Sequence, residues 1–179
     1  MPARLDTELT KKYAAKPADK IAGDIPSWWV SFTKLKAVLS YLKYSAPVRF
    51  EMLFDLSAID ESERLKTGYT LFYHLLSVSH NQDIRILVNV ENENIKIPTI
   101  TDIWSSANWY EREIYDMFGL IFKGHPNLRR LLLPDYWKGH PLRKSYPFRA
   151  TDMPPPFDLD TDDYARIMES YEIPDNRKP

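Results

Sequence analysis

Residues 49–59 read Arg49-Phe50-Glu51-Met52-Leu53-Phe54-Asp55-Leu56-Ser57-Ala58-Ile59, and in this run Phe50, Met52, Phe54, Leu56 and Ala58 alternate with Arg49, Glu51, Asp55 and Ser57. Successive side chains of an extended backbone point to opposite faces, so a period of two predicts a half-buried strand. After the polar stretch 60–68 the pattern returns in Thr70, Phe72, His74, Leu76 and Val78. Beyond a turn at Asn81-Gln82 it returns again in Ile84, Ile86, Val88 and Val90. Three strands in succession predict an antiparallel meander with one apolar face. Upstream, Ser27 to Phe32 is aromatic and β-branched enough for a short strand. Thr33 can then cap a helix that gathers Leu35, Val38, Leu39 and Leu42 on one side. The least costly burial lays helix on sheet, so the fold class is α+β: a two-layer helix-on-sheet domain with a largely antiparallel sheet.

Outward from this centre the chain divides into three parts. Residues 1–25 carry a weak helical stripe at Leu5, Leu9 and Tyr13, followed by a linker, and are expected to fray. Residues 26–122 hold the α+β domain, including a turn to helix near Thr99 to Ser105 and a second helix entered at Asn108. Asn108 is placed as N-cap, with Glu111 at the third helical position reaching back to free backbone donors. Tyr110, Ile114, Met117 and Phe118 form that helix's apolar stripe, and Gly119 ends it. Most of the fourteen prolines follow, so residues 123–179 are read as a long extended segment, a basic loop and then an acidic tail.

Composition excludes several roles. A net charge of -1 carries no general nucleic-acid footprint, and no apolar run approaches the roughly eighteen residues needed to cross a bilayer. Asp6, Glu8 and Asp19 near the start, with no apolar stretch between them, argue against a targeting segment, and the chain reads as cytoplasmic. There is no cysteine, hence no thiolate for an iron–sulfur cluster, a Cys-type zinc site, a disulfide or a nucleophile. The five glycines are dispersed, so no phosphate-cradling loop for a dinucleotide is present.

Glu113 and Asp116 lie one helical turn apart beside Glu111, a spacing that paired acid–base carboxylates use. Arg112 stands among them and Arg129 and Arg130 follow, so the group reads instead as an ion-pair network that pins the next loop. A buried Arg112 would call for a bidentate carboxylate. His125 and His140 each sit in Gly-His-Pro, and the histidines have no short-spaced ligand partner; these triplets read as sharp turns that need glycine's positive φ, with a metal site as the alternative. His74, alone on an apolar strand face, reads as a hydrogen-bonded core histidine.

Between Lys123 and Pro147 six Lys or Arg face one acid, Asp135, interleaved with Tyr136, Trp137 and Tyr146. Such a loop could bind nucleic acid. Leu131, Leu132 and Leu133 run through its middle, however, and an apolar stripe edged by arginine is the composition of a protein interface. Arg129, Arg130, Leu131, Leu132, Leu133, His140, Arg143, Lys144 and Tyr146 are the expected interface residues. The tail from Thr151, with eight acids against three bases, could fold back on this loop or embrace a neighbour.

Taken together, Glu111-Arg112-Glu113, Asp116, the apolar pair Met117-Phe118, His125 after a six-residue gap, and Arg129 ahead of Leu131 to Leu133 form one composite pattern. It resembles, position by position, the signature of the C subunit of respiratory complex I, the proton-pumping NADH:quinone oxidoreductase. The likeness runs from about residue 26 to 157 through Gly139-His140-Pro141-Leu142-Arg143-Lys144 and is nearest to the fused C/D form. Ser145 departs from it, standing where the family commonly has Asp. The resemblance implies a cofactor-free structural subunit of the peripheral arm, without catalytic residues of its own. It would pack chiefly on the D subunit, with the B and I subunits nearby, on the cytoplasmic side of the bacterial inner membrane, and touch the membrane only through the complex. FMN, iron–sulfur clusters, NADH and a quinone would belong to the whole complex, which couples electron transfer to proton translocation. The rival readings are the equivalent subunit of a related membrane-bound hydrogenase or ferredoxin-dependent complex, and a nucleic-acid-binding protein using Lys123 to Tyr146.

Overall fold

The three long strands pair as the antiparallel meander that the sequence predicts. The computed structural model describes residues 3–18, 25–65, 68–135 and 137–147. In chain order the elements are α1 (Ala3–Tyr13), β1 (Lys16–Pro17), β2 (Ser27–Trp29), a 3-10 turn (Phe32–Lys34), α2 (Leu35–Tyr44), β3 (Met52–Asp60), the single turn α3 (Ser62–Leu65), β4 (Tyr69–Ser77), β5 (Gln82–Val90), β6 (Ile97–Pro98), α4 (Ala107–Phe118) and β7 (Phe122–Lys123). The meander β3-β4-β5 is antiparallel, and β2 joins β5 in parallel with Trp28 opposite Ile86, so the five-stranded sheet, ordered β1-β2-β5-β4-β3, is mixed but mostly antiparallel. β6 and β7 form a small parallel pair.

On one face of the sheet Leu56, Tyr73 and Ile86 stand in register, as do Ala58, Leu71 and Val88. One continuous apolar cluster joins this face to Leu35, Val38, Leu39 and Leu42 of α2 and to Ala107, Ile114, Met117 and Phe118 of α4. This is the α+β helix-on-sheet arrangement that the alternation predicts.

Several details differ from the sequence reading. In β3 the register shifts between Leu53 and Asp55, a bulge that inserts Phe54 as an extra residue. Met52 and Phe54 are therefore 45 % and 50 % exposed, while Leu53 takes the core position. In β4 the phase is inverted: Tyr69, Leu71, Tyr73 and Leu75 face the core, whereas Phe72, His74 and Leu76 lie half-buried on the far side. β4 is flanked by strands on both edges and apolar on both faces, so alternation alone does not say which face is inside. His74 is thus not in the core; its ring packs on Phe54 at 4.9 Å and its Nε2 lies 3.5 Å from the Asp83 carboxylate. Thr33 sits inside the 3-10 turn, and α2 begins after Lys34 without a side-chain cap. Residues 99–105 form hydrogen-bonded turns rather than helix, with Ile103 and Trp104 N–H both donating to the Ile100 carbonyl. The stripe expected to fray, Leu5, Leu9 and Tyr13, is buried in the main cluster, and the Tyr41 hydroxyl donates to Glu8. Tyr136 and the acidic tail lie outside the described residues.

Candidate docking loop anchored on helix α4

Helix α4 has the apolar stripe its sequence predicts, but its start differs. Ser106 precedes the first helical residue and makes no side-chain cap, which leaves Asn108 inside the first turn. Glu111 does not reach back to the helix N-terminus. Its Oε1 accepts the Ile100 N–H at 2.8 Å and its Oε2 the Thr99 hydroxyl at 2.6 Å, tying α4 to the turn that delivers it. At the other end Gly119 adopts φ 75° and its N–H donates to Tyr115. A Cβ there would meet the Arg143 guanidinium and the His140 ring, so glycine is required by both backbone and space.

The loop that follows is held from α4 outward. Asp116, wholly buried, accepts three successive backbone N–H groups on Oδ2, from Leu131 (3.0 Å), Leu132 (2.8 Å) and Leu133 (2.9 Å). Its Oδ1 takes Arg130 at 2.6 Å. Consecutive N–H groups turned toward one point make an anion nest, here filled by the chain's own carboxylate. Burial alone would raise the Asp116 pKa; the three N–H donors and the Arg130 guanidinium outweigh it and hold the group below its ordinary value. Arg130 continues to the Trp137 and Gly139 carbonyls at 2.8 and 3.0 Å, closing the next turn of the loop.

A second set of groups covers the end of α4, whose last carbonyls lack helical partners. Arg143 Nε donates to Phe118 O at 2.6 Å, Leu142 N–H to Met117 O at 3.0 Å, and His140 Nδ1–H to Asp116 O at 2.9 Å. Arg143 also pairs with Glu93, and the Lys144 N–H donates to Asp60 Oδ2 at 2.8 Å, which stitches the loop to the end of β3. His125 plays a similar part at the start of α4. Its Nε2–H donates to the Asn108 carbonyl while its Nδ1 accepts the Asn127 N–H, so the ring is the neutral tautomer. Burial accordingly lowers the pKa of both His125 and His140, and nearby arginines add to it.

Arg112 is buried, but its partners are carbonyls rather than a carboxylate: Nε to Arg129 O at 3.2 Å and Nη2 to Arg130 O at 2.9 Å, with the guanidinium on the Trp109 ring. The loop carbonyls, fixed by the Asp116 nest, supply the acceptors that the sequence reading assigned to an acid. Glu113 is exposed and stands apart from this network. Gly124 and Gly139 adopt φ 86° and 88°, and the Tyr146 ring packs where a Cβ of Gly139 would project. Of the aliphatic run, Leu133, with Leu128, packs on the core and Leu131 is half-buried, whereas Leu132 is 63 % exposed and Leu142 52 %. The Arg129 side chain is exposed; Arg130, His140 and Arg143 are engaged within the chain. Asp60, Glu93 and the turn at Thr99, all parts of this structure, carried no local sequence signal, since their partners lie far along the chain.

Residues 28–152 match the family model described as respiratory-chain NADH dehydrogenase, 30 kDa subunit. The chain belongs to that family. It is 50 % identical over 149 residues to the C/D subunit of the NADH-quinone oxidoreductase of Nitrosospira multiformis, covering 80 % of this chain and 24 % of the relative. To the corresponding C/D subunit of Psychrobacter cryohalolentis it is 49 % identical over 157 residues, 84 % of this chain and 26 % of that one. The chain thus spans about a quarter of the length of the curated relatives it matches. Among solved structures, the trypsin-resistant fragment of Nqo5 is similar with TM-score 0.61 and 28 % identity, covering 70 % of this chain and 97 % of the fragment. A chain of the archaeal membrane-bound sulfane sulfur reductase shares the fold, with TM-score 0.67 at 24 % identity over 89 % of this chain and 95 % of that one.

For a 30 kDa-family chain the donor chemistry is restrictive. With no cysteine it offers no thiolate to a cluster, and among the described residues no group of three or more His, Asp or Glu side chains could hold a metal. Nor is any described helix long and apolar enough to cross a membrane.

Proposed function

We propose that this chain is a cofactor-free structural subunit of the peripheral arm of an NADH:quinone oxidoreductase, and that its loop from Lys123 to Pro147 docks on a neighbouring protein of that arm. The observation that carries this reading is the division of labour in the loop. Arg130, Leu131, Leu133, His140, Arg143 and Tyr146 hold it in shape, while Leu132, Leu142, Arg129 and Lys144 are left exposed. Exposed leucines and cations on a pinned loop suit a neighbouring protein that offers apolar and acidic surface. Because the relatives are C/D fusions, with both parts in one polypeptide, the D subunit is the first candidate, with the B and I subunits nearby. The assembly would pass electrons from NADH through FMN and iron–sulfur clusters to a quinone on the cytoplasmic side of the bacterial inner membrane, and couple this to proton translocation. With no thiolate in this chain, the iron–sulfur clusters would be held elsewhere in the assembly. Residues 26–122 serve as the scaffold, 1–25 as its N-terminal extension and 123–179 as the docking segment.

The test is Leu132→Asp and Arg129→Ala in the assembled enzyme. Truncating an interface anchor costs at least about 2 kcal/mol, roughly a thirtyfold loss of affinity. Both variants should lower the amount of complex on native gels while activity per assembled complex stays near normal. Intact assembly with collapsed turnover would refute the structural role.

A further inference from the structure

Helix α4 carries two wholly buried carboxylates in opposite surroundings. Asp116 collects three N–H groups and a guanidinium, as described above. Glu111 receives one neutral donor on each oxygen and no cation. The charged or titratable groups on packed elements that interact with it electrostatically are Tyr73 of β4, Asp102 of the 99–105 turns and Lys36 of α2. Lys36 is held by Asp102 at 2.9 Å at the surface, so that cation already has an acid of its own. An ionised carboxylate taken out of water without a counter-charge is costly, and neutralising it by a proton removes the cost.

A route for that proton is also present. The Thr99 hydroxyl, 2.6 Å from Glu111 Oε2, lies 3.0 Å from the Thr101 hydroxyl, and Thr101, unlike Thr99 and Glu111, is only half-buried. Thr99 Oγ1 also accepts the Thr101 N–H at 3.2 Å. A hydroxyl has one donor and two acceptor sites, so a chain of two can run in either direction without losing a bond.

We propose that Glu111 is a proton-binding site that exchanges with solvent through the Thr99–Thr101 hydroxyl pair. With Glu111 ionised, Thr101 donates to Thr99 and Thr99 donates to Oε2. On uptake, a proton from solvent bonds to the Thr101 oxygen, the proton of Thr101 passes to Thr99, and that of Thr99 passes to Oε2. Each hydroxyl gains one O–H bond and gives up one, and the net change is one proton on the carboxylate. Afterwards Glu111 donates to Thr99 and Thr99 to Thr101. The Ile100 N–H bond to Oε1 persists in both states, so proton uptake leaves the turn attached to α4. Burial pushes this carboxyl up to about 7, and its two hydrogen bonds offset only part of the rise.

The experiment is infrared spectroscopy of the full chain from about pH 5 to about pH 9, a span that brackets the ordinary and shifted carboxyl ranges. The carboxylic C=O band lost in Glu111→Gln is the reporter. It should titrate with a midpoint near 7. After a pH jump, Thr101→Val should relax about tenfold more slowly with little change of midpoint, because it breaks the route and leaves both Glu111 donors in place. If Glu111→Gln does not fold, side-chain carboxyl 13C resonances of the unmodified chain give the midpoint instead. A midpoint in the ordinary glutamate range overturns the site. Unchanged relaxation in Thr101→Val overturns the route.

Discussion

Replacing Asp116 with Asn conserves volume and removes one charge from the centre of the loop's attachment. The carboxylate has four partners, three N–H groups on Oδ2 and Arg130 on Oδ1. An amide cannot serve both sides. If its oxygen faces the N–H groups, its NH2 points at the Arg130 guanidinium; turned over, it opposes three N–H donors. Hydrogen bonds to a charged acceptor contribute about 1.5–3 kcal/mol each, and removing one member of a buried ion pair costs about 3–5 kcal/mol. The expected loss is about 3–5 kcal/mol, a large part of the roughly 5–15 kcal/mol that stabilises a domain. Urea unfolding of the full chain at neutral pH measures it as a shift in midpoint. The pH dependence adds a second check. The native Asp116 pKa is lowered, so its stabilisation is complete above the unfolded value of 3.8 and is lost as pH falls through the folded one. The gap between wild type and Asp116→Asn should therefore close in acid. A deficit below about 1 kcal/mol at neutral pH, the size of a surface substitution, would refute the anchoring role. So would a deficit that stays constant as the carboxyl is protonated.

The remaining predictions test neighbouring parts of the same device. Glu111→Gln should remove a pH slope of opposite sign: a folded pKa raised from 4.5 to about 7 favours the neutral form, so this group lowers native stability by up to about 3 kcal/mol between those values, a loss that the difference between wild type and the Gln variant in matched melts should show. Gly119→Ala should lose about 1–3 kcal/mol, since φ 75° is strained for alanine and the new methyl meets Arg143 and His140. Gly124→Ala, strained in φ but facing only the Thr99 methyl at 3.3 Å, should lose less, and the reverse ranking in thermal melts would contradict the packing described here.

Legibility in the sequence followed the range of the interactions. The extended character of 49–59, the strand alternation in 84–90, the α2 stripe and the Gly119 stop are local and were readable, and with them the α+β class. The phase of β4 was not, because Leu71, Tyr73 and Leu75 on one face and Phe72 and Leu76 on the other leave no clearly polar face to mark the outside. The bulge at Phe54 was hidden for a related reason: two adjacent large apolar residues, Leu53 and Phe54, satisfy either register.

The α4 residues show the same limit more sharply. Glu111 and Asp116 are both acids, both buried and five positions apart, and nothing local in the sequence separates them. What separates them is the partner that each finds in a distant segment. Asp116 meets three loop N–H groups and Arg130, and stays charged. Glu111 meets Thr99 and Ile100, with no cation, and is driven toward its neutral form. Reading the set as a single ion-pair network was natural, because Arg112 lies between them in sequence. In the fold Arg112 turns to the carbonyls of Arg129 and Arg130, whose positions depend on the Asp116 nest. The order of dependence therefore runs from Asp116 to the loop backbone and only then to Arg112. Removing Asp116 should consequently deprive a buried guanidinium of its acceptors, whereas removing Arg112 leaves the nest intact.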